Sequence, residues 1–135
     1  IFGHDRSTIL LVKRPPDDEN LPGVWGLPAG SLRESESFEE VIHRSGRDKL
    51  GVGLRVRQML NEGDIERDDY TLHMQLYEVS IQEGQPTVPQ PVEGITQYVA
   101  LEWDRPEKLR RAAEKGSLCS QLALEVLGPE SPRRR

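Results

Sequence analysis

Apolar and polar positions switch between two periods along this chain, and the switches mark its elements. Residues 8–13 are a run of aliphatic and branched side chains, a strand pattern, closed by Arg14-Pro15-Pro16. Residues 17–23 read as a polar loop. Residues 37–50 carry the strongest helical pattern, with Phe38, Val41, Ile42 and Ser45 sharing a face at spacings of three and four. Ser37 is placed to cap that helix with Glu40 three residues on, and Gly51 to end it. Gly46 inside it costs about 1 kcal/mol against alanine, so the helix depends on its packing.

Further along, residues 54–60 and 70–81 read as strands separated by an acidic turn over 61–69. Residues 82–91 form a Gly/Pro-rich loop, and 95–103 a further strand. Residues 106–115 predict a helix with Pro106 in its first turn, broken by Gly116. A last helix, 117–127, aligns Leu118, Leu122 and Val126, and a disordered tail is expected over 128–135. No internal repeat or second domain is visible, so residues 1–127 form a single domain. Strands interleaved with a few helices predict an α/β (α+β) fold.

Composition narrows the function classes. The 135 residues are 30% charged and carry a net charge of -5, which argues against general nucleic-acid binding. The longest aliphatic run, Ile9-Leu10-Leu11-Val12, is far too short to span a membrane. Cys119 is the single cysteine and suits a reducing, cytoplasmic setting. No signal peptide is visible.

The candidate chemistry lies between Gly30 and Val52, GSLRESESFEEVIHRSGRDKLGV. Gly30, Glu36, Arg44, Gly51 and Val52 stand at the spacing of the Nudix box, G-x5-E-x7-R-E-U-x-E-E-x-G-U, where U is bulky and apolar. Trp25 to Gly30, WGLPAG, is similar to that family's W-x-L-P-G-G, and LEWDRPEKL, from Leu101 on, is similar to its closing segment. The chain thus resembles the Nudix (MutT-like) hydrolases. The resemblance implies a mixed-sheet α/β/α sandwich and a substrate built of a nucleoside diphosphate linked to another moiety, X. It also implies sheet residues before Ile1, so a preceding natural segment is expected.

Inside the box the chain departs from the pattern. Where three glutamates are expected at i, i+3 and i+4, it has Ser45, Asp48 and Lys49. Magnesium wants an oxygen shell with carboxylates, and here one carboxylate remains while an ammonium enters. Unit charges about 4 Å apart interact by roughly 4 kcal/mol at an effective dielectric of ~20, so magnesium is expected to be lost from the standard position. Three readings stay open. Other carboxylates, among them Glu36, Glu39, Glu40 and Glu93, rescue a metal site; or Lys49 holds a phosphate without cleaving it; or the pocket is vestigial and the domain packs against a partner.

The candidate set is Glu36, Arg44 and Asp48 for catalysis, Gly30 and Lys49 for substrate, and Asp48 with Glu40 for metal. Each has a plainer role beside it. Glu36 and Arg44 would fasten the loop to the helix; Asp48 would pair with Arg44. Glu39, Glu40 and Lys49 suit the helix dipole. Trp25 and Trp103 read as core or rim packing, His73 as structural, and Asp64, Glu66, Asp68 and Asp69 as a solvated turn. The cofactor is Mg2+ or Mn2+ with activity and none without it. The partner expected is a nucleotide-like small molecule, with no membrane and no nucleic acid; a homodimer stays open.

Overall fold

The computed structural model describes residues 1–4, 6–16, 21–88 and 98–127. Parts of the loops expected at 17–23 and 82–91, the start of the strand expected at 95–103, Glu93 and the tail 128–135 lie outside the described residues.

The aliphatic run forms β1 (Ile9–Lys13), and its first four residues are all buried. A strand presents alternate side chains to opposite faces, and β1 uses that to join two cores. Leu10 and Val12 pack with Leu50, Val52 and Tyr98, while Ile9 and Leu11 pack with Leu109 and Ala123. Other parts of the chain therefore cover both faces of the strand, which is why it reads as an unbroken apolar run. On its edges sit β2 (Trp25–Gly26) and β5 (Ala100–Asp104), in the order β2-β1-β5 and both antiparallel to it. No parallel pair occurs among the described residues.

The second sheet is a long antiparallel hairpin, β3 (Gly53–Glu66) with β4 (Thr71–Glu83). This corrects the expected acidic turn over 61–69, since the strand runs through most of it. Asp64 and Glu66 are held by cross-strand partners, while Asp68 and Asp69 lie exposed in the connection between the strands. Asp64 Oδ1 lies 2.5 Å from His73 Nδ1, and Thr71 Oγ1 donates to Glu66 at 2.7 Å. Only the residues between the strands turn, with Arg67 N–H donating to Tyr70 O at 2.8 Å.

The expected helix at 37–50 also changes character along its length. It is α-helical as α1 (Phe38–Ser45) and then opens into a π turn, Gly46–Leu50. Its start follows the sequence signal: Ser37 Oγ accepts Glu40 N–H, and the Glu40 carboxylate accepts Ser37 N–H. Its end does too, with Gly51 at φ 71°, the left-handed conformation glycine adopts freely.

The helix expected at 106–115 begins as a 3₁₀ turn, Pro106–Leu109, before α2 (Arg110–Glu114). The last helix is α3 (Leu118–Leu127), with Leu118 and Leu122 buried. It packs on the hairpin, where Asn61 Nδ2 donates to Leu122 O at 3.1 Å. Trp25 is half-buried with Lys108 Nζ 4.9 Å from its ring, whereas Trp103 is exposed. Among the described residues no helix is long and apolar enough to cross a membrane.

Candidate functional site

Two clamps fix the loop that leads into α1. Arg44 donates from Nε and Nη2 to the two oxygens of Glu36, at 2.7 and 2.9 Å, a bidentate pair. Its Nη2 also donates to Ser31 O at 2.8 Å, and Arg33 N–H donates to Glu36 at 2.9 Å. Glu36 and Arg44 thus tie loop to helix in the way their plainer reading anticipates. The Arg44 hydrogen bonds, then that from Arg33, hold the Glu36 carboxyl down at about 2.

Because this folded-state value lies below the ordinary one of 4.5, the pair stabilises the fold fully above about pH 4.5. That contribution is lost as pH falls toward about 2. Melting curves taken from pH 6 downward should show the loss, and Glu36→Gln should flatten the slope in that window. A Glu36→Gln protein with the parent's pH dependence would contradict the assignment.

The second clamp is Lys49. Its Nζ donates to Ala29 O at 2.6 Å and lies 5.7 Å from the ring centroid of Tyr98. Tyr98 in turn accepts Ala29 N–H on its hydroxyl at 3.1 Å, so both polar groups of Ala29 are held. Burial, then the nearby cations Arg14 and Arg44, lower the Lys49 pKa, while Asp48 opposes the shift. Burial raises that of Tyr98.

Steric contacts explain two glycines. A Cβ on Gly30 would overlap Ser45 Oγ and stand 3.1 Å from Val41 Cγ2, so only glycine lets the loop lie this close to α1. At Gly46 a Cβ would meet Leu54 Cδ1 and Cγ at 2.8 Å and Val52 O at 3.1 Å. Leu54 therefore occupies the space that a bulky residue at the box's apolar position would fill. Glycine there costs helix propensity and admits the hairpin.

The structure brings Gly30, Ser45 and Lys49 to the wall of one cavity of about 300 Å³. Asp48 is not part of that wall, though its charge reaches Arg44 and Lys49. Glu36 and Glu40 stand apart at the start of α1, committed to Arg44 and to the Ser37 cap. The π turn also means that residues 45, 48 and 49 do not follow regular α-helical spacing. Tyr98 and Ala29 complete the arrangement and were not among the candidates. A loop carbonyl and a tyrosine distant in sequence leave no periodic signal beside Lys49.

This donor set does not fit a magnesium ion at the standard box position. It offers one carboxylate, at Asp48, beside an ammonium bonded to the adjoining loop carbonyl. Among the described residues, no three His, Cys, Asp or Glu side chains group so as to hold a metal.

A family model described as NUDIX domain matches residues 1–120. The solution structure of the E. coli ORF135 protein is similar at TM-score 0.69 and 24% identity, over 97% of this chain and 90% of that one. A MutT NUDIX hydrolase from Burkholderia pseudomallei is similar at TM-score 0.59 and 28% identity, over 86% and 92%. A UDP-X diphosphatase is similar at TM-score 0.57 and 18% identity, over 75% of this chain and 46% of that one. No curated protein sequence matches.

Proposed function

Because the chain belongs to the NUDIX domain family, we propose that it acts on a nucleoside diphosphate linked to another moiety, hydrolysing it weakly. The observation that carries this reading is the frame of the box. Gly30 lies against Ser45, and the Glu36–Arg44 pair fastens the loop preceding α1 to that helix. That frame is kept while the oxygen donors are largely replaced. The similarity to a MutT NUDIX hydrolase at 28% identity supports the reaction class. Turnover is weak because Ser45 and Lys49 offer no carboxylate to hold a dication, and an ammonium does not generate hydroxide.

A second reading is favoured by one specific contact, the Lys49–Ala29 bond. Here Lys49 supplies a fixed positive charge and holds a phosphate that is not cleaved. Glu36, Arg44 and Asp48 then position the loop and Lys49 rather than act on substrate.

A thermal-shift screen of nucleoside diphosphates and their X-linked derivatives, with and without Mg2+ or Mn2+, tests both readings. The expected result is a stabilisation by ligand that needs no added metal and is lost in Lys49→Met. Product release assayed on the same panel separates slow cleavage from binding alone. Stabilisation by metal alone, or no response to any phosphate compound, would contradict the proposal.

A further inference from the structure

The cavity shared by Gly30, Ser45 and Lys49 is about 300 Å³, within the range of small-molecule sites. Its walls are chiefly aliphatic, including Leu27, Val41, Ile42, Leu54, Leu72 and Leu76. His73, Gln75, Tyr77 and Glu78 also line it but are already hydrogen-bonded, to Asp64, Glu62, Gln75 and Arg6 in turn. Two further polar groups distinguish it from a packing gap. Lys49 is half-buried in the wall, and its bond to Ala29 uses one of the three donors of an ammonium. Ser45 Oγ is buried with no hydrogen-bond partner, a state that is costly until a ligand relieves it. Both stand beside the box loop, where a phosphate is proposed to sit. A sugar or base reaching into the remaining space would meet walls that are chiefly aliphatic and whose hairpin polar side chains are already paired. Its own hydroxyls, carbonyls or ring nitrogens would be left short of partners. A hydrocarbon would not.

We infer that this cavity takes the aliphatic tail of a phosphate- or diphosphate-headed ligand, with the head at Lys49 and Ser45. The inference rests on the phosphate-holding role of Lys49 proposed above and specifies the linked moiety X as an aliphatic group. Charge complementarity places the head, and the lining places the tail.

The test is a calorimetric titration of the whole chain with butyl, hexyl and octyl phosphate, each below its micelle-forming concentration. UDP and phosphatidic-acid vesicles are run in parallel. Each added methylene should tighten binding about fourfold, equivalent to ~0.8 kcal/mol. Lys49→Met should weaken octyl phosphate at least tenfold, and Ile42→Trp, which fills the cavity, should flatten the chain-length dependence. The series on the unaltered protein stands without either variant. Equal affinity for butyl and octyl phosphate, with UDP bound through Lys49, would overturn the tail site and leave the phosphate role intact. No binding of UDP or of any alkyl phosphate would overturn both. Binding to vesicles without binding to monomeric octyl phosphate would overturn an enclosed tail in favour of surface adsorption.

Discussion

Replacing Ser45 and Lys49 together by glutamate should raise the Mg2+ affinity of this chain about a thousandfold. The reason is charge at short range. Lys49 carries an ammonium hydrogen-bonded to the Ala29 carbonyl, and of the three box positions 45, 48 and 49 only Asp48 bears a carboxylate, whose charge acts on Lys49. Exchanging a unit repulsion of ~4 kcal/mol for an equal attraction, at about 4 Å and an effective dielectric of ~20, changes the Coulomb interaction by ~8 kcal/mol per unit of ion charge. Of this, ~4 kcal/mol is taken to survive desolvation of the new carboxylates. That equals about three decades in affinity. The Gly30–Ser45 contact bears on the outcome, because a longer side chain at 45 must pass the loop where no Cβ blocks it. Calorimetric Mg2+ titration of parent and double variant checks the affinity. Release of product from nucleoside-diphosphate derivatives then checks whether activity follows. A double variant with the parent's metal affinity would mean that the helix face no longer presents these positions together.

The second large effect concerns Gly46. Helix propensity alone favours any larger residue except proline here by up to about 1 kcal/mol, and the family pattern calls for a bulky apolar one. The packing reverses that sign. With Leu54 Cγ and Cδ1 at 2.8 Å from a Cβ, and the Val52 carbonyl oxygen at 3.1 Å, Gly46→Leu has no room. Overpacking of this kind costs about 3 kcal/mol, which lowers the melting temperature by roughly 10 °C in a domain of this size. Leu54→Ala in the same chain should recover a substantial part, because the two positions compete for one space. Thermal unfolding of the two single variants and the double variant measures the coupling. Additive losses, or a stabilised Gly46→Leu, would show that the space is not shared.

These two sites also show how far the sequence carried. The cap of α1 was legible because all its parts are local: Ser37, Glu40 and Gly51 act through backbone groups within a turn. The β1 run was legible as a strand, and its full burial follows from lying between two cores. The π turn was not legible, and neither was the close approach of Leu54 from β3 to Gly46 at its start, a neighbour that only the fold supplies. The acidic stretch looked like a turn because its charges are solvated. Its pairing with His73 and Thr71 emerges only when the hairpin register is known. At the site, spacing located Gly30, Glu36, Arg44 and Lys49, and the exposure of Lys49 as a plain surface charge was the competing reading. Its bond to a backbone carbonyl and its contact with Tyr98 carry no side-chain signature that periodicity detects. The short β2 strand was missed for a similar reason, since two residues give no alternation to read.

The central claim is that the Lys49 ammonium stands where the box would hold a dication. Calorimetric titration of the unaltered protein with MgCl2 tests it most directly. The expected result is no saturable heat through millimolar concentrations, with Asp48→Ala indistinguishable from the parent. Tight, saturable binding that Asp48→Ala abolishes would contradict it.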